Sequence, residues 1–399
     1  MKVEHSSKSI AIEVDTALDE RLTACRSRSS SPMLRGRMPR LLAIYLPQFH
    51  PIPENDEWWG KGFTEWTNVT KARPLFRGHY QPRLPGELGF YDLRLPETRA
   101  AQADLARTHG IYGFIYYHYW FSGRLLLERP MREVLESGKP DFPFCICWAN
   151  HNWNRTWTGE TEEVLLEQRY SPEDDREHIR WLLPYLKDRR YVTVQGKPVV
   201  FIYRAELIGH LAETARIWRE EAAAAGLPGL YLSWMESNHP RSTQDLTLSG
   251  LDAATEFQPR TGIAGAPMPV FLRGSLRALA PKAFQKHNVR KYSRLVSGAL
   301  TRPSATYKRF PCVMPGWDNS PRRAPRLRAN IWIDSTPELY ERWLRGTLNR
   351  FRPFGPDEDF VILNAWNEWA EGNYLEPDQR WGRSYLEATR RALEPPGQR

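Results

Sequence analysis

The chain has 399 residues, 41% of them hydrophobic and 26% charged, so it can bury a full core and is too apolar to be disordered as a whole. No run of about 18 apolar residues occurs, against a membrane-spanning helix; Met1-Lys2-Val3-Glu4-His5-Ser6 lacks the apolar segment of a secretory signal, so the expected location is the cytosol. The net charge of +9 is unevenly placed: residues 21–40 carry six Arg and no acid, residues 271–310 carry ten Lys or Arg and no acid, and the remainder is therefore acidic.

Residues 1–38, with Ser27 to Ser31 and scattered Arg, are expected to be a flexible basic arm, and residues 39–395 a single domain. Leu41 to Pro47 reads as a first buried strand that ends in Gln48-Phe49-His50. The segment up to about residue 95 is rich in Pro and Gly and holds Trp58-Trp59-Gly60 and Gly62-Phe63-Thr64-Glu65-Trp66-Thr67-Asn68. Loops of that length are usually functional. Leu95 to His109 has helical spacing and stops at Gly110, and Ile111 to Trp120 is the next strand. Phe142 to Trp148 is another, ending in Ala149-Asn150-His151-Asn152-Trp153.

Ser171-Pro172-Glu173-Asp174 opens a helix through about Lys187, with an N-cap, Pro at the first position and acids at the positive end of the dipole. Lys197 to Arg204 follows as a strand and Leu207 to Ala225 as an Ala-rich helix. Leu230–Glu236, Asp252–Phe257, Pro311–Asn319 and Phe360–Trp366 continue the strands. Strand and helix thus alternate about eight times, and the strands are apolar without strict alternation, as in a parallel sheet covered on both faces. Polar and aromatic residues gather after nearly every strand, which predicts a closed (β/α)8 TIM barrel, α/β in class, with its site at the strand C-terminal ends. An open doubly wound sheet would want a Gly-rich phosphate turn, and none is present.

The basic insert, residues 271–310, falls before the seventh strand. Leu272, Leu276 and Leu279, then Phe284, Tyr292, Leu295 and Val296, recur at near-helical spacing among its cations. Two readings stay open, an amphipathic pair on anionic lipid at the inner face of the membrane and a lid packed on the barrel. The basic segments suit an anionic partner such as a membrane surface, a lipid-linked diphosphate or an acidic glycan, and plain solvated faces are at least as good a reading. No nucleic-acid module accompanies the charge, so no nucleic-acid partner is expected. The four cysteines, Cys25, Cys145, Cys147 and Cys312, form no disulfide framework and are expected to be reduced. His50, His118 and His151 lie on separate elements without ligand spacing, so neither a metal nor another cofactor is expected.

The densest chemistry lies in Val361 to Asp378, where an apolar run turns abruptly into carboxylates, carboxamides and indoles. Cleaving or forming a glycosidic bond needs one group to give a proton and another to take one or attack, and Glu368 and Glu371 are the pair suited to that. Trp366 and Trp369 would raise an acid's pKa by desolvation, and Glu371 is the choice for that acid. Glu65 and Glu376 are second-choice carboxylates, more readily read as salt-bridge partners. Gln48, His50, Asn150, Asn152, Asp318 and Asn319 have the donors and acceptors that sugar hydroxyls require, and Trp66, Trp120, Trp153 and Trp317 could stack on rings.

Asn367-Glu368-Trp369-Ala370-Glu371-Gly372 resembles the Asn-Glu-Trp-X-Glu-Gly motif of glycoside hydrolase family 99. It more closely resembles the WbsX-type family of lipopolysaccharide-biosynthesis glycosyltransferases, which has a family-99-like domain. Tyr45-Leu46-Pro47-Gln48-Phe49-His50, Gly62 to Asn68, Trp148-Ala149-Asn150, Pro315 to Asn319 and Asn364 to Trp369 look like that family too, over roughly residues 40–390. The resemblance implies a (β/α)8 barrel acting on the glycosidic bonds of surface polysaccharide or O-antigen-type glycans. It also implies Glu368 as the base toward a sugar 2-hydroxyl, by way of an anhydro intermediate, and Glu371 as the general acid or base at the bridging oxygen. Tyr45, His118, Trp148, Trp366 and Asn367 join the substrate-binding candidates with Glu65 and Glu376. Ala370 stands where the hydrolases carry His, so three readings stay open: a retaining glycosidase or transglycosidase, a sugar-nucleotide-dependent transferase, and a non-catalytic glycan-binding barrel. Asp357-Glu358-Asp359 precedes the last strand and is expected at the end of the barrel away from the chemistry.

Overall fold

A computed structural model describes residues 38–155, 163–237, 245–259, 286–324 and 327–395. Its main sheet is a ring of parallel strands: β1 (Arg40–Tyr45), β2 (Ile111–Phe121), β3 (Phe144–Trp148), β4 (Lys197–Ile202), β5 (Tyr231–Glu236), β6 (Ala253–Glu256), β7 (Arg309–Phe310 and Cys312–Val313) and β8 (Phe360–Leu363). Each pairs with its sequence neighbour, and β1 also pairs with β8 through Leu42 opposite Ile362. Strand β7 is in two pieces because Pro311 has no N–H to give the ladder. Its first piece pairs with β6 and its second with β8, and the Pro311 carbonyl accepts the Ile362 N–H at 2.9 Å, so the barrel closes across the interruption.

The strands read as unbroken apolar runs because both their faces are covered. Leu41 to Ile44, Cys145 to Trp148 and Val199 to Phe201 are fully buried. Cys145, Cys147 and Cys312 are buried thiols without a disulfide, and Cys25 lies outside the described residues.

The helices are α1 (Pro53–Trp59) and α2 (Glu65–Lys71) in the long loop after β1, then α3 (Pro96–Thr108), α4 (Arg129–Ser137), α5 (Pro172–Leu186), α6 (Leu211–Ala224), α7 (Tyr292–Thr301), α8 (Pro337–Arg350) and α9 (Ser384–Leu393). The Ser171 hydroxyl accepts the Asp174 N–H at 3.2 Å to cap α5, a contact worth about 1 kcal/mol. Helix α3 ends before Gly110, whose φ of 81° suits glycine and whose missing side chain makes room for Leu393 of α9. Between β5 and β6 the described residues hold only a single tight turn, Thr247–Ser249, in place of a helix.

The basic insert is partly visible. Leu272, Leu276, Leu279 and Phe284 lie outside the described residues, as does the arm to residue 37. Residues Asn288–Lys291 form a short parallel pair with Asn330–Ile333, and α7 follows directly. Tyr292, Leu295 and Val296 are buried, with the Tyr292 hydroxyl donating to the Met314 carbonyl at 2.5 Å and its ring packed on Trp343. This corrects the lipid-facing reading for these three residues: their apolar face is turned onto the barrel. No described helix is long and apolar enough to cross a membrane.

Candidate active site

Beyond β8 the chain forms a two-residue antiparallel pair, Asn367–Glu368 with Asn373–Tyr374, bridged by one tight turn, Trp369–Glu371. Gly372 closes the turn at φ 57°, and a Cβ there would lie 2.9 Å from Arg83 Cζ and 3.1 Å from Asp318 Cβ. The motif therefore needs glycine for its backbone and for its packing. Glu368 and Glu371 leave this turn toward Arg322, the last residue of a turn after β7.

One guanidinium binds three carboxylates. Arg322 Nη2 lies 2.9 Å from Glu368 Oε2, Nη1 lies 2.9 Å from Glu371 Oε1, and Nε lies 3.2 Å from Glu65 Oε2, where Glu65 opens α2. Burial pushes the Glu368 carboxyl up to about 8, with Arg322 opposing the shift and Glu371 and Glu65 adding to it. Glu371 is also raised, by burial first, against the pull of Arg322. Burial works against the charge on Arg322, but the three carboxylates hold it firmly protonated. Glu368 and Glu371, both raised and sharing one cation, can hold and pass a proton between them.

A cavity of about 450 Å³ opens beside the cluster at the C-terminal ends of the strands. Of the residues anticipated from sequence, Gln48, Asn152, Trp153, Trp317 and Asn319 line it together with Glu368 and Glu371. Gln48 Nε2 donates to the Tyr119 hydroxyl at 3.3 Å, Asn152 Oδ1 accepts the Gln168 N–H at 2.7 Å, and Asn319 Oδ1 accepts the Asn330 N–H at 2.8 Å.

The other anticipated residues lie behind the wall, buried or held by the protein itself. Tyr45 donates to Gln102 Oε1 at 2.6 Å, and the Trp66 indole N–H donates to the Tyr91 carbonyl at 2.8 Å. His50 is buried, and burial lowers its pKa to about 4. Asn150 braces two loops, accepting the Arg204 N–H at 2.7 Å and donating to the Arg204 carbonyl at 3.0 Å. Trp148 and Trp366 are fully buried in the core. Asn367 clasps Leu46, accepting its N–H at 2.7 Å and donating to its carbonyl at 3.0 Å.

Glu376 takes hydrogen bonds from the Trp369 indole at 2.6 Å, Tyr91 at 2.8 Å and Gln102 at 2.6 Å. Burial pushes Glu376 up to about 7 despite these donors. Asp318 is fully buried, and burial would raise it, but His79 at 2.7 Å, the nearby Arg83 and Gln81 at 2.6 Å hold it down at about 2. Its backbone N–H donates to the Glu371 carbonyl at 2.6 Å, tying the β7 loop to the β8 loop. Glu65 is likewise off the wall, spent on Arg322.

His118 and Trp120 sit on the face of β2 opposite the cavity. His118 Nε2 contacts His178 Nε2 at 2.9 Å and the Trp120 indole N–H donates to Asp174 Oδ1 at 2.9 Å, both partners being on α5. Their neighbours Tyr117 and Tyr119 line the cavity instead, with Tyr203 from the end of β4. Burial keeps all three phenols protonated. The period of two along β2 is a signal that puts Tyr117 and Tyr119 on one face without saying which face it is. Arg322 carried no such signal, since nothing local distinguishes it from Arg323. Trp366 and Trp369 are buried behind the wall, and burial is the largest cause of the raised pKa values of both glutamates. Among the described residues no group of His, Cys, Asp and Glu could hold a metal ion.

A family model described as Glycosyltransferase WbsX matches residues 41–389. Two curated relatives, each an uncharacterized protein WxcX of Xanthomonas campestris pv. campestris, are 41% identical over 354 residues, which is 88% of this chain and 49% of theirs. The chain spans about half the length of these relatives. Among solved structures it is similar to a glycoside hydrolase-like protein, with a TM-score of 0.58 and 16% identity over 90% of this chain and 95% of that one. It is also similar to the GH99 endo-alpha-mannosidase from Bacteroides thetaiotaomicron, with a TM-score of 0.51 and 16% identity over 89% of this chain and 96% of that one. At that identity the likeness is one of fold, the (β/α)8 barrel.

Proposed function

The chain belongs to the WbsX glycosyltransferase family, and from that premise we propose that it is a carbohydrate-active enzyme working on glycosidic bonds of an oligosaccharide or polysaccharide. The observation that carries the proposal is the Arg322 fork holding Glu368 and Glu371 beside a cavity walled by Trp153, Trp317 and tyrosines. Indole and phenol faces suit the apolar faces of sugar rings, and the carboxylates supply acid–base chemistry.

Bridging by one planar guanidinium keeps the two acids close. It favours the spacing of about 5–5.5 Å of a retaining pair over the roughly 6.5–9.5 Å that leaves room for water in an inverting one. Glu371, whose side chain is 20% exposed against 8% for Glu368, is the group that protonates the leaving oxygen and later takes a proton from the acceptor. Glu368, deeper and bound to Nη2, is the base or nucleophile toward the sugar, acting when the proton the pair shares rests on Glu371. The acceptor is water in a glycosidase and a sugar hydroxyl in a transglycosidase. Surface polysaccharide or O-antigen-type glycans, free or lipid-linked, are the proposed substrates.

A transferase using a sugar nucleotide is the second reading, favoured by the family's description. Asp357-Glu358-Asp359 does not help it, because Asp359 is bound to Arg40 at 2.7 Å and Glu358 to Tyr231 at 2.8 Å, at the start of β8. Incubating the protein with a lipid-linked or free oligosaccharide, with and without sugar nucleotides, alongside Glu368→Gln and Glu371→Gln, separates the readings. The retaining enzyme turns over without nucleotide, and both variants abolish it. Turnover solely with a nucleotide selects the second reading, and binding without turnover that both variants leave unchanged would overturn catalysis altogether.

A further inference from the structure

One side of the cavity is built from hydrogen-bond donors and cations. Asn330 and Trp332, from the short strand Asn330–Ile333, are wall residues, and Arg323 joins them from the turn after Arg322. Oδ1 of Asn330 is already occupied, accepting from Asn288 Nδ2 at 3.0 Å and from Arg290 Nη1 at 3.4 Å, so its amide nitrogen is the end left to meet a ligand. The Trp332 indole N–H is buried without an acceptor, and the Arg290 guanidinium lies over that ring, 5.3 Å from its centroid.

Two exposed cations lie close by in the same pair of segments. Lys286 and Arg328 each stand two residues before the paired Asn288 and Asn330, and the intervening contact, Ala329 N–H to His287 Nδ1 at 3.2 Å, keeps the two segments side by side. Between residues 286 and 324 the sequence holds one carboxylate, Asp318, and residues 327–333 hold none. Asp318 is turned away into His79 and Gln81. Among the described residues Lys286 and Arg328 form no ion pair, while Arg323 feels the charge of Glu371. Exposed cations such as Lys286 and Arg328, gathered without an ion-paired acid, raise the local concentration of anions.

We propose that this wall binds an anionic group carried by the glycan, a phosphate or a sugar carboxylate, held to the side of the bond on which Glu368 and Glu371 act. The division of charge gives the cavity a direction: protons are exchanged at its carboxylate end and the substrate's fixed negative charge is received at its donor end. The opposite orientation would bring that charge against Glu368 and Glu371. What carries the anion rests on the proposed glycosidic function; the anion site itself does not.

The test is calorimetric titration of the full chain with inorganic pyrophosphate, with glucuronate and with glucose, in the wild type and in Lys286→Ala/Arg328→Ala. Both substituted residues are exposed, so circular dichroism should show the variant folded. One of the two anions is expected to bind saturably while glucose does not, with affinity falling as salt is raised. The double variant should bind at least roughly tenfold more weakly, since even one lost charged contact is worth that much. Pyrophosphate as the tighter ligand assigns a phosphate-linked glycan, and glucuronate as the tighter one assigns an acidic sugar. Binding of neither anion, or equal binding by the variant, overturns the proposal. Because the readout is binding, failure of glycan turnover with anion binding intact counts against the proposed function alone.

Discussion

Arg322 Nη2 reaches Glu368 Oε2 at 2.9 Å across 46 positions of sequence, and that contact fixes the orientation of the site's deeper acid. Removing the cation leaves buried carboxylates without a partner. Arg322→Ala is expected to cost about 3–5 kcal/mol of stability and to abolish turnover. Arg322→Lys keeps the charge but loses the fork, so it should recover part of the stability and little of the activity. Urea unfolding alongside a turnover assay checks both, and equal stability of wild type and Arg322→Ala would show that the bridge contributes nothing.

Protonation of the cluster sets a pH dependence of stability. The folded-state pKa of Glu368 is raised from 4.5 to about 8, so its stabilising effect is fully present below the unfolded value and is lost as pH rises through the folded one. Wild type should therefore lose stability between about pH 4.5 and 8. Glu368→Gln should flatten that slope, as read from denaturation midpoints at several pH values.

Asp318 behaves in the opposite sense. Its carboxyl is held at about 2 in the folded state against 3.8, so its contribution is present above the unfolded value and disappears as pH falls through the folded one. Asp318→Ala strips His79 and Gln81 of their buried acceptor and should cost about 1–3 kcal/mol at neutral pH, an amount that shrinks in acid. A difference between variant and wild type that stays constant down to acid pH would refute this role.

Gly372→Ala probes the turn that carries the pair. A side chain at φ 57° meets Arg83 and Asp318, so about 1–3 kcal/mol of strain is expected. The more specific expectation is a displaced Glu371 and a turnover defect larger than the loss of stability explains, measured as kcat on protein confirmed folded.

The two faces of β2 should respond differently to substitution. Tyr117→Phe and Tyr119→Phe remove hydroxyls from the cavity wall and should weaken substrate binding with little change in Tm. His118→Ala empties a space enclosed by His178 and Trp181 and should cost on the order of 2–4 kcal/mol, without a selective effect on KM. A KM defect from His118→Ala and none from the tyrosine variants would place the wrong face in the cavity.

The barrel was legible because a parallel strand covered on both faces leaves a distinct trace, a short apolar run followed by polar residues, and it recurs from Leu41 to Leu363. The catalytic candidates stood out because two acids follow such a run within one turn. The wall was less legible. Side chains alternate along a strand, and nothing in Tyr117-His118-Tyr119-Trp120 says which pair points inward until α5 is seen to supply His178 and Asp174 to the other. Arg322 was hidden for a different reason: its role comes from meeting Glu65, Glu368 and Glu371, contacts that no local pattern encodes. Buried polar residues such as Asn367 and Glu376 read like substrate contacts because sugars and backbone groups ask for the same donors and acceptors.

The closure of β1 against β8 has a consequence for the timing of synthesis. Glu65 leaves the ribosome well before Arg322 and the two motif glutamates, so until β7 and β8 have been made the early acid is without its cation. On the proposed function, glycosidic chemistry would be withheld until that point, and the seam that closes the barrel also brings the candidate site together.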